Sequence, residues 1–170
     1  SLTTLFSRLS RALRGRLPDL DDRTVTDGAL CHARDRLGTE PMEELLRALG
    51  DVPGPRFHRR RVLALDGVRL DLPDTAANVR AFGRRRGRLG ASPWPQALAL
   101  VLLEVATRIP RDARVAHCDS SEKTVGRDLL GSVGPEDILL LDGGFYGVPV
   151  FLAVQARGAG FLCPAPRHVV

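Results

Sequence analysis

Two short apolar runs that each end in an Asp-Gly step constrain the fold more than any other feature of this chain. Residues 62–65 run into Asp66, residues 138–141 run into Asp142, and a glycine follows each aspartate. Short apolar runs closed by turn residues are typical of strands with neighbours on both sides. Because a strand that follows a crossover helix lies parallel to its neighbour, we expect the two runs to pair and to bring Asp66 and Asp142 together.

A pair of carboxylates in one place predicts a bound cation, because the two negative charges otherwise repel each other. Oxygen ligands on strand ends suit Mg²⁺ or Mn²⁺, which take few ligands from protein and the rest from water and phosphate. Asp66 and Asp142 are therefore the candidate metal ligands and catalytic residues. The alternative is that each aspartate only caps a strand and opens a turn.

The charge of the chain favours a polyanionic partner. Its formal charge is +5, and nearly all the basic residues are arginine because Lys123 is the only lysine. Arginine makes bidentate contacts to phosphate, as a nucleic-acid-binding protein requires. An arginine bias also follows from the base composition of some genomes, so charge alone does not decide the matter.

Apolar residues at helical spacing predict three helices in the first 50 residues, over 2–13, over 24–37 and after Thr39. Arg34 and Arg36 lie on the outer surface of the second of these. The segment is either a DNA-end-binding unit or a packing hairpin with a solvated basic face.

A linker rich in proline and glycine, residues 51–60, separates this helical segment from a main domain over 61–170. Further strands and helices follow the first apolar run, over 96–107, 113–118, 122–130, 137–142, 148–156 and 161–163. The order predicts a mixed α/β fold, in which a mixed sheet is flanked by helices.

Polar and basic side chains follow the first apolar run closely. Asp71, Asp74 and Asn78 are candidates for supporting the metal ligands from further out, although such residues more often satisfy backbone amides. The arginines of the next segment are candidates for neutralising the phosphates beside a cleaved phosphodiester, or else form a solvated disordered loop. These arginines are Arg80, Arg84, Arg85, Arg86 and Arg88, and the nearby Trp94 either stacks on a base or fills a core.

The cysteines predict neither a disulfide framework nor a zinc site, because there are three of them, widely spaced and without a CxxC motif. His117 and Cys118 are adjacent rather than at ligand spacing. A reducing cytoplasm fits this cysteine usage. No run is long enough to cross a membrane.

Three stretches of the sequence resemble the insertion-sequence type 4 family of bacterial transposases. They are TVTDGALCHARDRLG at 24–38, LALDGVRLDLPDTAANVRAFG at 63–83 and LLLDGGFYG at 139–147, and SEKTVGRDLL at 121–130 stands where the family has a helix before its second acid. The resemblance implies the ribonuclease H-like core of a DDE transposase. Asp66 and Asp142 would be the first two acids of the triad and would together hold two Mg²⁺ ions.

The resemblance also implies the partners and the reaction. The element's ends would be nicked and transferred to target DNA, and the helices before Arg61 would help bind the terminal repeats. Such a protein is bacterial, cytoplasmic and associated with the nucleoid, and it has no membrane partner.

Two departures from the family pattern bear on activity. Gly143 stands where the family has an arginine, and no acidic residue follows Asp142, whereas the family's third acid lies in a later Tyr-Arg-Glu-Lys signature. We therefore expect a truncated amino-terminal half that is inactive alone, with an exposed sheet edge that favours association, for example as a homodimer. Glu122 and Glu104 are the alternative third acids.

Two other functions remain open at this point. One is a complete metal-dependent nuclease that uses Asp66, Asp142 and Glu122. The other is a stand-alone basic DNA-binding module in which the carboxylates are structural.

Overall fold

The structure is a computed structural model of the chain, and it describes residues 4, 8, 11, 25–50, 52, 54–88 and 90–166. Contacts divide the chain into two compact units, one that ends at Leu45 and one that begins at Leu46. The helix expected over 2–13 falls almost wholly outside the described residues. In the described part of the chain, every helix is too short or too polar to cross a membrane.

Within residues 25–50, two of the three helices predicted before the first strand are present. Helix α1 spans Asp27–Leu37 and helix α2 spans Glu40–Gly50. Helix α1 begins where Thr26 Oγ1 accepts the N–H of Ala29 at 3.2 Å. It ends at Gly38, whose φ of 73° is a conformation that glycine adopts without strain.

A five-stranded mixed sheet forms the centre of the second unit. The strands within the described residues are Arg61–Asp71 (β1), Arg86–Gly87 (β2), Gly90–Ala91 (β3), Gln96–Glu104 (β4), Ile109–His117 (β5), Asp137–Leu141 (β6) and Gly160–Leu162 (β7). The sheet has the order β5-β4-β1-β6-β7, and β2 and β3 form a separate small hairpin. Strand β4 pairs in antiparallel fashion with β1 on one side and with β5 on the other, whereas β6 pairs in parallel with β1 and with β7. This is the mixed α/β fold that was predicted, with the strand arrangement of a ribonuclease H-like core.

Three helices accompany these strands: α3 (Ala76–Phe82), α4 (Glu122–Leu129) and α5 (Val148–Gln155). Short 3₁₀ turns follow α4 at Leu130–Ser132 and β6 at Gly143–Phe145. Helix α4 lies between β5 and β6 in the chain. It therefore supplies the crossover that two parallel strands require.

The core lies on the sheet face that packs against α4 and α5. Its buried side chains include Leu63, Leu65, Leu98, Leu100, Leu102, Val125, Leu129, Leu139, Leu141, Phe145, Val150 and Val154. The other face is open along the second half of β1, where Val68 is 51% and Leu70 is 43% exposed. The sheet is thus covered on one face only along this part of β1.

Strand β1 is longer than predicted, because it continues past Asp66 to Asp71. Its antiparallel partner β4 stays paired with it as far as Asp71, opposite Gln96, whereas the parallel partner β6 stops at the pair Leu65 and Leu141. Asp66 therefore follows the last parallel pair but does not end the strand. The prediction of a turn at the Asp-Gly step was wrong, because only the pairing with β6 ends there and the pairing with β4 continues.

Helix α3 is not among the helices that the sequence predicted. Thr75 Oγ1 accepts the N–H of Asn78 at 3.1 Å and starts the helix. Gly83, with a φ of 75°, ends it. A capping threonine and a closing glycine were both visible in the sequence, but the helix between them is only 7 residues long.

Candidate functional site

Asp66 and Asp142 occupy adjoining positions on two neighbouring parallel strands. The register pairs Leu65 with Leu141, so each aspartate is the next residue on its strand. Both leucines are buried in the core, and side chains alternate between the faces of a strand, so Asp66 projects from the open face. Asp142 is also exposed, and its backbone is still extended, with φ −78° and ψ 172°. The expected pairing of the two acidic strand segments is present.

Each of these aspartates uses one carboxylate oxygen locally. Asp66 Oδ1 accepts the N–H of Gly67 at 2.7 Å, and Asp142 Oδ1 accepts the N–H of Phe145 at 3.3 Å. Within the described residues, neither Oδ2 atom has a hydrogen bond or an ion pair. The local capping role proposed as the alternative therefore exists, and it leaves one oxygen of each carboxylate for another ligand.

The glycine at position 144 permits this arrangement at the second aspartate. A Cβ atom at Gly144 would lie 3.0 Å from Asp142 Oδ1 and 3.4 Å from Oδ2. These distances are tighter than ordinary van der Waals contact. A side chain at this position would push the carboxylate from its place.

Lys123 supplies a basic group close to Asp142 that the sequence did not reveal. Its Nζ donates a 2.7 Å hydrogen bond to the carbonyl of Tyr146. The Sγ of Cys163 lies 3.3 Å from the Asp142 carbonyl oxygen, and burial together with the Asp142 charge raises the pKa of this thiol, while Lys123 lowers it. Lys123 is therefore near enough to Cys163 to act on it electrostatically.

Glu122, the alternative third acid, lies on the other side of β1 from Asp66. A Cβ atom at Gly67 would be 3.3 Å from Glu122 Cδ, and Arg69 Nη2 is 4.0 Å from Glu122 Oε1. Gly67 and Arg69 are an odd number of residues from Asp66 along the strand. They therefore lie on the opposite face of β1, the face that packs against the helices. In the described part of the chain, Asp66, Asp142 and Glu122 do not form a group with ligand atoms within 4.8 Å of one another.

Glu104 lies opposite Leu63 and is 4% exposed. Its Oε2 accepts a 3.2 Å hydrogen bond from Thr107. Its Oε1 is buried without a hydrogen-bond partner among the described residues. This carboxylate is buried in the interior, whereas Asp66 is exposed.

Asp71, Asp74 and Asn78 have partners of their own away from Asp66. Asp71 Oδ1 accepts a 2.8 Å hydrogen bond from Gln96, Asp74 Oδ1 pairs with Arg84 Nη2, and Asn78 Nδ2 donates to the carbonyl of Pro73 at 2.9 Å. Asp71 is five residues beyond Asp66 on β1, which corresponds to about 16 Å at the rise of a strand. Asp71 is therefore far along the strand from Asp66, and Asp74 and Asn78 are engaged by Arg84 and by the carbonyl of Pro73.

The arginines after β1 fall into two groups. Arg84 is held within the chain, since it donates to Asp74 and to the carbonyls of Ser92 and Pro93. The side chains of Arg80, Arg85, Arg86 and Arg88 are exposed, as is Trp94 with 51% of its surface. A groove in the hairpin region is lined by Arg85, Gly87, Arg88, Gly90, Ala91, Ser92, Pro93 and Gln96.

Arg34 and Arg36 lie in the last turn of α1, and both are exposed. Cations in this position stabilise the negative end of the helix dipole. Contact of these two arginines with DNA stays a prediction.

Comparison with known proteins bears directly on these motifs. No family model matches the sequence. The chain is 26% identical over 162 residues to transposase InsG for insertion sequence element IS4 of Escherichia coli (strain K12). The chain is similar to an IS4 transposase. The resemblance predicted from the three motifs is confirmed, and the match covers 92% of this chain and 36% of the InsG transposase, so the chain spans about a third of that relative's length.

Proposed function

We propose that this chain is the part of a DDE transposase that carries the first two metal-binding acids, Asp66 and Asp142. The observation that carries this proposal is the parallel pairing of β1 with β6, which ends at Leu65 and Leu141 immediately before the two aspartates. Each carboxylate is exposed and retains an oxygen outside local hydrogen bonds. An oxygen-only donor set of this kind fits Mg²⁺, or Mn²⁺ in its place.

The roles of the residues follow from this arrangement. Asp66 and Asp142 would hold the metal, and the chemistry that Mg²⁺ supplies when bound is activation of the attacking hydroxyl and stabilisation of the leaving oxygen. Lys123, which lowers the pKa of Cys163 beside Asp142, would partly offset the negative charge of the site.

DNA is the proposed partner, both as transposon ends and as target. Arg80, Arg85, Arg86 and Arg88 would contact phosphates, because their side chains are exposed and have no ion pair among the described residues. Arg84 would instead fix the base of the hairpin through Asp74. In the helical segment over 1–50, Arg34 and Arg36 would bind the element's ends.

The remaining parts of the proposal follow from the resemblance. Residues 51–60 would link the helical segment to a catalytic domain over 61–170, which would act in the bacterial cytoplasm at the nucleoid. Association into a homodimer would use the open sheet edges at β5 and β7.

We further propose that a protein of these 170 residues binds DNA without cutting it. Glu122 faces Gly67 and Arg69 and lies across the sheet from Asp66, so it is not placed to complete the triad. The third carboxylate would have to come from another polypeptide segment. This distinguishes the proposal from a nuclease that is complete in itself.

A metal titration combined with a DNA assay tests the proposal. Mn²⁺ binding is followed calorimetrically for the wild type, Asp66→Asn, Asp142→Asn and the exposed control Asp128→Asn. We expect each of the first two substitutions to weaken Mn²⁺ binding at least tenfold, and the control to leave it unchanged. DNA binding in a gel-shift assay should remain, and it should weaken as salt is raised.

Nicking of supercoiled DNA with Mn²⁺ separates the competing functions. Nicking by the wild type that is lost in both Asp66→Asn and Glu122→Gln would establish the self-contained nuclease and overturn the proposed inactivity of the chain alone. Mn²⁺ affinity equal in wild type, Asp66→Asn and Asp142→Asn, with DNA binding retained, would leave a DNA-binding module whose carboxylates are structural.

A further inference from the structure

The carboxyl end of β5 brings together three side chains that the proposed function does not use. His117, Cys118 and Asp119 each offer one ligand atom, and these atoms all lie within 4.8 Å of one another. His117 Nδ1 is 3.9 Å from Cys118 Sγ and 4.0 Å from Asp119 Oδ2. In the described part of the chain, no other three residues of the metal-binding types meet in this way.

The tautomer of the histidine leaves Nδ1 without a proton. Nδ1 accepts the backbone N–H of Asp119 at 3.2 Å, so we assign the proton of the neutral ring to Nε2. The Nε2 side lies against Gly83, where an added Cβ atom would clash with the ring. The single lone pair of Nδ1 is used by this hydrogen bond, so a metal bound at Nδ1 would replace the N–H of Asp119.

The chemistry of the three donors selects the ion. An imidazole nitrogen, a thiolate sulfur and a carboxylate oxygen together are typical ligands of Zn²⁺, whereas Mg²⁺ prefers oxygen alone. Around a tetrahedral zinc, ligand atoms are separated by roughly 3.4 to 3.6 Å. The observed separations of 3.9 and 4.0 Å are close to these values. The side chains of His117 and Asp119 are 47% and 65% exposed. Small rotations of these two side chains would bring the ligand atoms to the separations around a bound zinc.

We propose that His117, Cys118 and Asp119 form a Zn²⁺ site with an open fourth position. The thiolate would bind from the interior, where Cys118 is fully buried, and the other two ligands from the solvent side. The site is separate from Asp66 and Asp142 and does not depend on their role.

The position of the site gives it a structural consequence. The N–H of Cys118 donates to the carbonyl of Phe82 at 2.9 Å, and Arg69 Nη1 donates to the carbonyl of Cys118 at 2.6 Å. Helix α3 ends at Phe82 and leads directly to the arginine hairpin. A metal at this junction of β1, α3 and β5 would stabilise the base of that hairpin.

The experiment uses the full chain after treatment with a chelator. Zn²⁺ is titrated in competition with a chromophoric chelator, and Co²⁺ is used in parallel because thiolate ligation gives it an intense charge-transfer band. We expect one tightly bound ion per chain, at least tenfold weaker binding in His117→Ala and Asp119→Asn, and loss of the charge-transfer band in Cys118→Ser. The controls are Cys163→Ser and His32→Ala, which should bind as the wild type does.

Three results would overturn the proposal. They are a Co²⁺ complex of the wild type without a thiolate band, equal Zn²⁺ affinity in the wild type, His117→Ala and Asp119→Asn, or loss of binding in Cys163→Ser. If Cys118→Ser fails to fold, the two exposed ligands decide the question, because their substitution removes no buried group. Asp66→Asn should retain Zn²⁺ binding, so this proposal and the proposed function are tested separately.

Discussion

Arg61 and Asp137 lie directly opposite each other at the start of the parallel pair β1 and β6, joined by two hydrogen bonds. Arg61 Nε donates to Asp137 Oδ1 at 2.8 Å and Arg61 Nη2 donates to Oδ2 at 3.0 Å, while the N–H of Gly134 also donates to Oδ2. Bidentate pairs of this kind impose both distance and orientation. The pair fixes the register that, five positions later, places Asp66 beside Asp142.

Removing the buried member of this pair should destabilise the fold strongly. The side chain of Asp137 is fully buried and that of Arg61 is 20% exposed. Asp137→Ala leaves the guanidinium without its partner, which typically costs about 3 to 5 kcal/mol for a buried pair. The matched control is Glu136→Ala, whose pair with Arg56 is exposed and should contribute less than about 1 kcal/mol. Chemical denaturation of both variants measures the difference, and equal effects would contradict the assigned role of Asp137.

A side chain at Gly126 should destabilise the fold, because α4 packs closely against the core there. A Cβ atom would lie 2.9 Å from Phe145 Cε1 and 3.1 Å from Leu65 Cδ2. Overpacking of this kind costs about 1 to 3 kcal/mol, which exceeds the gain of up to about 1 kcal/mol in helix propensity.

We therefore expect Gly126→Ala to lower the free energy of unfolding by about 1 to 2 kcal/mol. Gly131→Ala is the control, since no atom lies within 4 Å of its added Cβ, and it should change stability by less than about 0.5 kcal/mol. A stabilised Gly126→Ala variant in thermal denaturation would show that the helix is less tightly packed than described.

The exposed arginines of the hairpin should set the salt dependence of DNA binding. The triple substitution of Arg85, Arg86 and Arg88 by alanine should lower the slope of log K against log salt by about 0.9 for each phosphate that is no longer neutralised. The control is the double variant Arg127→Ala with Arg157→Ala, which removes exposed charge outside the hairpin. Its slope should stay closer to that of the wild type. Fluorescence anisotropy with a labelled duplex at several salt concentrations gives the slopes, and equal slopes in both variants would remove the hairpin from the interface.

Stability should fall in alkaline solution because of two thiols. Burial raises the pKa of Cys118 and Cys163 above the ordinary value of 9.0, so the folded chain keeps protons that the unfolded chain loses. The stabilisation is complete below pH 9.0 and is lost as pH rises from there towards the raised values.

Denaturation midpoints measured from about pH 8 to about pH 11 test this expectation. The double variant Cys118→Ala with Cys163→Ala should show a shallower decline than the wild type, whatever its stability at neutral pH. An identical decline would assign the alkaline sensitivity to other groups.

The sequence predicted the sheet well because its signals are local and periodic. Apolar runs indicated the strands that lie on both sides of β1, and the crossover rule predicted the parallel pairing of β6. The length of β1 was underestimated because an Asp-Gly step is typical of a turn. The sequence alone does not show that β4 pairs with β1 beyond this step. The alternation of Val68 and Leu70 with Arg69 and Asp71 was the available signal.

Side-chain neighbours were harder to predict than strands. The contact of Lys123 with the Tyr146 carbonyl joins residues from different elements and leaves no pattern in the sequence. The sequence analysis set His117 and Cys118 aside because they are adjacent, and it did not consider Asp119, yet the turn after β5 brings all three together. Glu122 was a reasonable candidate for the third acid from the sequence. In the structure it lies beside Gly67, on the opposite face of β1 from Asp66.

The two carboxylates of the proposed metal site are held with unequal rigidity. Asp66 is in the middle of an 11-residue strand that β4 still pairs beyond it, whereas Asp142 starts a 3₁₀ turn that opens with two glycines. When ions of different radius bind, Asp142 should therefore move more than Asp66, which the strand holds in place. Selectivity between a smaller and a larger divalent ion would then be governed by the freedom of a single glycine-rich turn.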